Sequence, residues 1–209
     1  MTVPIPATPF ADPAPAQRLE RAAAALTAHG FIVEILDDAV AARARIKDLI
    51  PEGATVFTGA SETLRLSGID ADINTSGRYD AVKSRTVAMD RDTDLHEIWR
   101  VISTPQFIVG SVHAVTETGS LVAASASGGQ LPGYAGGAAH AIWIVGAQKV
   151  VPDLSTALRR VEEHSLPLES ARAQAAYGQP SALNRLLILN ADTDPGRGTV
   201  LLLREAIGF

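Results

Sequence analysis

Residues 31–59 read FIVEILDDAVAARARIKDLIPEGATVFTG, and this stretch decides the fold class. FIVEIL at 31–36 is rich in β-branched and aromatic residues, which predicts a strand. Asp37 or Asp38 is placed to cap a helix over AVAARARIKDLI, and a Pro-Glu-Gly turn follows. ATVFTG at 54–59 predicts a second strand. The stretch is therefore a strand–helix–strand unit.

The same alternation continues along the chain. Residues 16–29 favour a helix, with Gly30 at the position of a C-terminal cap, and the apolar HAIWIVG at 140–146 predicts another strand. Alternating strands and helices predict an α/β fold whose mostly parallel sheet has helices on both faces. Residues 1–15, rich in proline and alanine, are predicted to be a flexible arm. Without an internal repeat or long linker, residues 16–209 are predicted to form one domain.

One further helix, three short strands and the final two strands are also predicted. DRDTDLHEIWRVIS at 90–103 has the pattern of an amphipathic helix. FIVG, VHAVTE and SLVAAS are short strands close together in sequence. RLLILN at 185–190 and the final TVLLLREAIGF are expected to pair as a hairpin or edge ribbon across the turn ADTDPGRG.

Composition excludes several classes of function. The net charge is −5, and no Lys/Arg stripe suggests a nucleic-acid partner. The chain has no cysteine, which excludes disulfides and cysteine-ligated iron–sulfur clusters within it. No window approaches the roughly 18–20 uninterrupted apolar residues of a membrane helix. The amino terminus lacks the basic start and apolar run of a signal peptide. A cytoplasmic protein without membrane contact is expected.

The first candidate site is TGASETLRLSG at 58–68. A predicted strand ends at Gly59, and Ser61 stands where a helix N-cap belongs. Free backbone amides at such a helix start, around Glu62 and Thr63, attract an anion. Open parallel sheets place ligands at this edge. The alternative is a capped helix without a ligand.

The second candidate is GSVHAVTETGSLVAAS, which starts at Gly110. Thr118 and Gly119 belong to a tight turn between two strands, and Glu117 stands beside it among small and apolar residues. A carboxylate in such a setting is suited to act as a base, acid or nucleophile. His113 lies four residues earlier and shares a strand face with Glu117, so a His–Glu pair is predicted. The alternatives are an exposed turn glutamate and a structural histidine.

The third candidate is the glycine-rich segment SASGGQLPGYAGGAAH, whose proposed ligand-binding residues are Ser125, Ser127, Gly128, Gly129 and Gln130. Its backbone amides are expected to approach a phosphate or carboxylate closely. The segment carries no charged residue, which is unusual for a solvated loop. A flexible surface loop is the alternative. The spacing matches neither a Walker loop nor GxGxxG, so it predicts no nucleotide site.

Isolated polar residues are weaker indications of a binding site than the three segments. Lys83 and Lys149 are candidates to meet an anion, although most lysines are solvated. The five histidines share no metal-ligand spacing, so no metal site is predicted.

Taken together, these segments resemble the lactate-utilisation (LUD) domain family. The matching stretches occur in the family's order and span nearly the whole chain after the arm: IPEGATVFTGASETLRLSGI, INTSGRYDAV, GSVHAVTETGSLVAASASGGQLPGYAGGA, IWIVGAQKVV, LPLESARAQAAYG and NRLLILNADTDPGRGTVLLLREAIGF. The resemblance implies a Rossmann-like open sheet, similar to that of ribose-phosphate isomerases, glucosamine-phosphate isomerases and coenzyme A transferases.

The resemblance also suggests chemistry. In coenzyme A transferases of this fold a glutamate before a glycine turn is the nucleophile, and Glu117 looks similar. Better-known family members belong to a system that oxidises L-lactate to pyruvate beside iron–sulfur proteins. They tend to carry His-Gly-Pro before the final strand, whereas residues 194–198 here read DPGRG. In this respect the chain looks closer to the stand-alone LUD proteins.

Two functional hypotheses follow. The first is a non-redox component of lactate or related organic-acid utilisation, which binds a small anionic metabolite and has iron–sulfur proteins as partners. The second is a stand-alone isomerase or an acyl-transferring enzyme of the coenzyme A transferase kind. It would use Glu117 on a phosphorylated, thioester or carboxylate substrate, with coenzyme A or a phosphorylated metabolite bound. A sensor domain without chemistry and a homo-oligomer are left open.

Overall fold

Six parallel strands form the central sheet of the computed structural model, which describes residues 10–209. The described strands are β1 (Ile32–Leu36), β2 (Thr55–Thr58), β3 (Asp80–Ala81), β4 (Phe107–Gly110), β5 (Ala114–Thr116), β6 (Leu121–Ser125), β7 (His140–Gly146), β8 (Val150–Val151), β9 (Arg185–Leu189) and β10 (Gly198–Leu203). The central order is β1-β10-β7-β4-β2-β3, and every neighbouring pair is parallel. The predicted α/β fold with a Rossmann-like open sheet is confirmed.

Helices cover both faces of this sheet. They are α1 (Ala16–Ala28), α2 (Ala39–Leu49), α3 (Glu62–Leu66), α4 (Ile69–Thr75), α5 (Val82–Val87), α6 (Leu95–Ser103), α7 (Leu154–Arg160) and α8 (Leu166–Tyr177). Side chains of β7 alternate between the two faces. Trp143 packs in the cluster that contains Leu26 of α1, whereas Ile144 packs in the cluster that contains Ile46 of α2. A strand buried on both faces must be apolar at every position, as HAIWIVG nearly is.

A smaller sheet has the order β8-β5-β6-β9. Its β5 and β6 form an antiparallel hairpin, whose turn contains Gly119 at φ +87°. The Gly119 carbonyl oxygen lies 3.0 Å from Nδ1 of His29, so this turn packs against the end of α1. The tight turn predicted from Thr-Glu-Thr-Gly is confirmed.

The predicted hairpin of the last two strands is wrong. β9 pairs with β6 in the smaller sheet, whereas β10 lies between β1 and β7 in the central sheet. All six residues of β10 are buried, and an apolar strand of this kind is most stable where both faces and both edges are covered. β9 keeps Arg185 and Leu186 exposed, which suits the edge of a sheet.

One further boundary differs from expectation. The helix predicted for 90–103 begins only at Leu95, because aspartate side chains bind the backbone of the preceding turn: Asp94 Oδ2 accepts from Asp90 N at 3.1 Å. Residues 1–9 of the predicted arm lie outside the described residues, and α1 begins directly after Pro15. Within residues 10–209 no helix is long and apolar enough to cross a membrane.

Candidate functional site

The carboxyl ends of β2, β4 and β7 meet at one edge of the central sheet. The chain leaves β2 at Gly59 to enter α3, leaves β4 at Ser111, and leaves β7 through a short helical turn that ends at Lys149. In open parallel sheets this edge is where ligands bind. The polar side chains that follow these three strands therefore define the candidate site.

Lys149 is the centre of this group. Its side chain is only 1% exposed, and Nζ donates to Thr63 Oγ1 at 2.9 Å and to Ser111 Oγ at 3.0 Å. Burial lowers the pKa of Lys149 well below its usual value, and the nearby charge of Arg160 lowers it further. Lysine side chains are rarely buried, so an enclosed amine that is hydrogen-bonded to two hydroxyl groups is unusual.

Arg160, the last residue of α7, lies beside this group and is fully buried. Nε donates to the Gln148 carbonyl oxygen at 3.2 Å, and Nη1 donates to Ser165 Oγ at 3.0 Å and to the His113 carbonyl oxygen. Nη2 is buried, and none of the described residues accepts a hydrogen bond from it. Burial lowers the pKa of Arg160 to about 10, so the guanidinium stays charged at neutral pH.

His113 completes the group as a neutral ring. Its Nδ1 accepts the Ala124 N–H at 3.0 Å, so the single proton of the neutral ring resides on Nε2. Burial lowers the pKa of His113 to about 3, with smaller contributions from the charges of Lys149 and Arg160. Nε2 of this ring is therefore a hydrogen-bond donor over the whole neutral pH range.

The two basic side chains of this group have no carboxylate partner among the described residues. Neither Lys149 nor Arg160 forms an ion pair with any residue between 10 and 209. The chain has two other lysines, and both have carboxylate partners: Lys83 Nζ lies 3.0 Å from Asp70, and Lys47 Nζ lies 3.8 Å from Asp72. Lys149 is thus the exception among the three.

The first and third candidate segments lie next to each other. A Cβ atom at Gly59 would lie 3.2 Å from Cβ of Gln130, so the end of β2 contacts the glycine-rich loop. Polar groups of the loop hydrogen-bond to one another: Ser125 Oγ donates to Gln130 Oε1 at 3.1 Å and accepts from Gly128 N at 2.8 Å. Ser127 is exposed. Ligand contact by this loop remains a prediction.

The start of α3 has the expected local structure. Ser61 caps the helix, with Oγ accepting from Leu64 N at 3.3 Å. Glu62 forms an ion pair with Arg65 at 2.7 Å, and this contact lowers the pKa of Glu62. Thr63 is buried and belongs to the Lys149 group. Of the segment's candidate residues, Thr63 is the one that the structure joins to other polar groups of the site.

Glu117 lies at the opposite end of β5 from His113, against α1. Its two carboxylate oxygens lie 2.7 Å from Nε of Arg18 and 2.6 Å from Nε of Arg21. No hydrogen bond between His113 and Glu117 occurs in the described structure. Thr118, also in this turn, is exposed, and its Oγ1 lies 2.9 Å from Thr116 Oγ1. A catalytic role of Glu117 stays a prediction.

The absence of a side chain matters at Gly110 of the second segment but not at Gly129 of the third. A Cβ at Gly110 would overlap the hydroxyl of Tyr134, which hydrogen-bonds to the Ser111 carbonyl oxygen at 3.3 Å. A Cβ at Gly129 would lie 3.8 Å from Ile102, an ordinary contact distance. Gly110 thus has a steric role next to Ser111 of the site.

Sequence reasoning missed Ser111 and Arg160. A signal for Arg160 exists: it shares one helical face with Ala157, Val161 and His164, all of them buried, so it occupies a position where an apolar residue is expected. Ser111 has no comparable signal. In the described part of the chain no group of three or more His, Asp or Glu side chains is arranged to hold a metal ion.

Comparisons with known proteins agree with this architecture. No curated protein matches the chain. Among solved structures, a DUF162 family protein from Deinococcus radiodurans matches with a TM-score of 0.55 at 11% identity, covering 90% of this chain and 97% of that one. This likeness shows the shared fold. The family model of the LUD domain matches residues 19–180. The resemblance found in the sequence is confirmed, and the chain belongs to the LUD domain family.

Proposed function

We propose that this protein binds a small organic anion at the carboxyl edge of its central sheet, as a non-redox component of lactate or related organic-acid utilisation. The observation that carries the proposal is the buried charge of Arg160, which has no carboxylate partner and an unused Nη2 among residues 10–209. A buried charge without a counter-ion is costly, and a bound carboxylate would offset that cost.

The neighbouring groups suit the same ligand. A carboxylate presents two acceptor oxygens, and arginine is the side chain best shaped to bind them. His113, which directly precedes β5, supplies a further donor through Nε2. A cleft of about 320 Å³ is lined by Gln148, the residue before Lys149, and by Gly208, whereas Arg160, His113 and Lys149 do not line it.

Family membership supports the proposed role in a redox pathway, and the composition supports a non-redox component of it. Without cysteine the chain cannot hold a cysteine-ligated iron–sulfur cluster, so electrons would pass through partner proteins. Iron–sulfur proteins are accordingly the proposed partners. The enzyme alternative, with Glu117 as base or nucleophile, has less geometric support because both oxygens of that carboxylate face arginines of α1.

Thermal unfolding tests the proposal. L-Lactate and pyruvate should raise the Tm of the protein, whereas the uncharged methyl ester of lactate should not, because binding to the native state alone stabilises it. Arg160→Met should lose the shift. Arg159→Gln is the matched control, since Arg159 lies next to it on the exposed face, paired with Glu163 at 3.0 Å.

Two results would contradict the proposal. One is an equal shift with acid and ester. The other is a full shift in Arg160→Met, provided that its circular dichroism matches that of the native protein. If Arg160→Met does not fold, the comparison of acid with ester on the unmodified protein still tests whether binding requires the carboxylate.

A further inference from the structure

We infer that Lys149 is a nucleophilic amine, which forms an imine with the carbonyl carbon of a small 2-oxo carboxylate. This inference rests on the proposed anion site and adds covalent chemistry to it. It derives from the hydrogen bonds around Nζ, from the charges that face it and from the donors available to hold a carboxylate.

The hydrogen-bond count favours a neutral amine. Ser111 Oγ has one hydrogen, and its shortest acceptor is the Ile144 carbonyl oxygen at 2.6 Å. Thr63 Oγ1 directs its hydrogen to the Ile207 carbonyl oxygen at 3.4 Å. Both hydroxyl groups therefore accept from Lys149 rather than donate to it. A neutral amine has two N–H groups for these two acceptors and keeps a free lone pair.

A charged ammonium would fit this place poorly. Its third N–H would find no acceptor among the contacts of Nζ, and a buried unpaired donor is unfavourable. The guanidinium of Arg160 lies close enough to lower the pKa of Lys149 further, because it repels a second positive charge. The lowered pKa of Lys149 agrees with this reasoning. Desolvation beside another cation is one of the known ways to activate a lysine.

The substrate class follows from two complementary groups. An amine with a free lone pair reacts with a carbonyl carbon, and the guanidinium of Arg160 suits a carboxylate. A 2-oxo carboxylate carries both functions on adjacent carbon atoms. Two contacts link the cleft with the amine: Gly208 lines the cleft and touches Thr63, and Thr63 Oγ1 accepts from Lys149 Nζ.

The reaction balances without an oxidant or a reductant. The lone pair of Nζ attacks the carbonyl carbon, and the carbonyl oxygen takes up a proton to give a carbinolamine. Loss of water then forms the C=N bond. This water contains the carbonyl oxygen and both hydrogens of the neutral amine. The hydrogen bonds that Nζ donated to Thr63 and Ser111 are therefore lost when the imine forms.

Reductive trapping of the full-length protein tests the inference. Incubation with pyruvate and sodium cyanoborohydride converts an imine into a stable secondary amine, which intact-mass and peptide mass spectrometry detect. The chain has only three lysines, so the mapping is unambiguous. We expect labelling at Lys149 to exceed that at Lys47 and Lys83 by at least tenfold. Lys149→Met should abolish it, and Lys83→Met, which changes a surface lysine, should leave it intact.

The outcomes separate this inference from the proposed function. L-Lactate has the carboxylate but no carbonyl, so it should raise the Tm without any adduct. If lactate and pyruvate raise the Tm equally while no adduct forms at Lys149, the anion site stands and the imine inference is overturned. Labelling confined to Lys47, Lys83 or the amino terminus overturns it as well. If neither acid shifts the Tm and no adduct forms, both proposals fail. Because the mapping uses the unmodified chain, its outcome does not depend on whether Lys149→Met folds.

Discussion

Lys149 Nζ lies 2.9 Å from Thr63 Oγ1, although 86 positions separate these two residues in the chain. The contact joins the helical turn after β7 to the start of α3. It exists because parallel strands bring their carboxyl ends to one edge, where β4 lies between β2 and β7. Because the Lys149 amine is buried, the stability of the protein depends on pH.

Lys149→Met should remove a pH-dependent cost of folding. The pKa of Lys149 is lowered in the folded protein, so the unfolded chain binds this proton more tightly. The free-energy cost of burying Lys149 is therefore absent above the usual pKa of lysine. It grows as the pH falls from that pKa toward the lowered pKa of Lys149 in the folded protein. Urea unfolding between pH 7 and 10 should show wild-type stability rising toward that of the variant as pH increases. Lys83→Met is the control, and parallel curves for wild type and Lys149→Met would contradict the prediction.

Protonation of His113 should destabilise the protein in acid. Its pKa is about 3 in the folded protein against 6.5 for a free histidine, so the unfolded chain takes up the proton first. Stability should fall as pH decreases from 6.5 toward 3, and His113→Asn should lose less over that range. Urea unfolding of both proteins measures the difference. His96→Asn, at an exposed histidine, should behave like wild type. An NMR titration that places the pKa of His113 near 6.5 would refute this account.

Gly110→Ala should destabilise the fold by about 1–3 kcal/mol, because the added methyl group overlaps the Tyr134 hydroxyl. Tyr134→Phe removes the oxygen that the methyl group meets. The double variant should therefore be more stable than the sum of the two single effects predicts. Chemical denaturation of the four proteins completes the cycle. Full stability of Gly110→Ala together with a lost lactate shift would instead support the ligand-binding role predicted from the sequence.

Glu117→Gln should weaken the attachment of α1 by about 1 kcal/mol, since two partly exposed ion pairs, to Arg18 and Arg21, are lost. The difference should shrink at high salt, where exposed charges are screened. Glu20→Gln, at an exposed glutamate of the same helix, is the matched control. A variant that keeps its stability but loses turnover of a bound metabolite would favour the role of Glu117 as base or nucleophile.

Local patterns were sufficient for much of the fold. The alternation around residues 31–59 predicted the parallel sheet, and Ser61 was recognised as a helix cap. The turn at Gly119 was also predicted. These features depend on neighbours within a few residues, such as the Ser61 hydroxyl and the Leu64 amide, so composition and spacing suffice to find them.

The candidate site was recovered only in part. The sequence predicts Thr63 and His113 as site residues, and both belong to the Lys149 group. It does not indicate Arg160, because a helical arginine is usually solvated and its burial depends on which elements cover α7. The small residues around Glu117 predict a reactive carboxylate, but Arg18 and Arg21 contact it from 96 or more positions away. No local pattern reports such a partner.

The amino-acid sequence of this protein was enough to predict its fold class and its family. The fold class follows from periodicity and turn chemistry, which are local, and the family follows from stretches that resemble those of LUD domain proteins. Long-range packing decided the rest: β10 entered the centre of the large sheet and β9 the edge of the small one. The same packing left Lys149 and Arg160 buried without carboxylates among residues 10–209. Burial and charge compensation depend on what covers a side chain, and this is set only when the whole chain is folded.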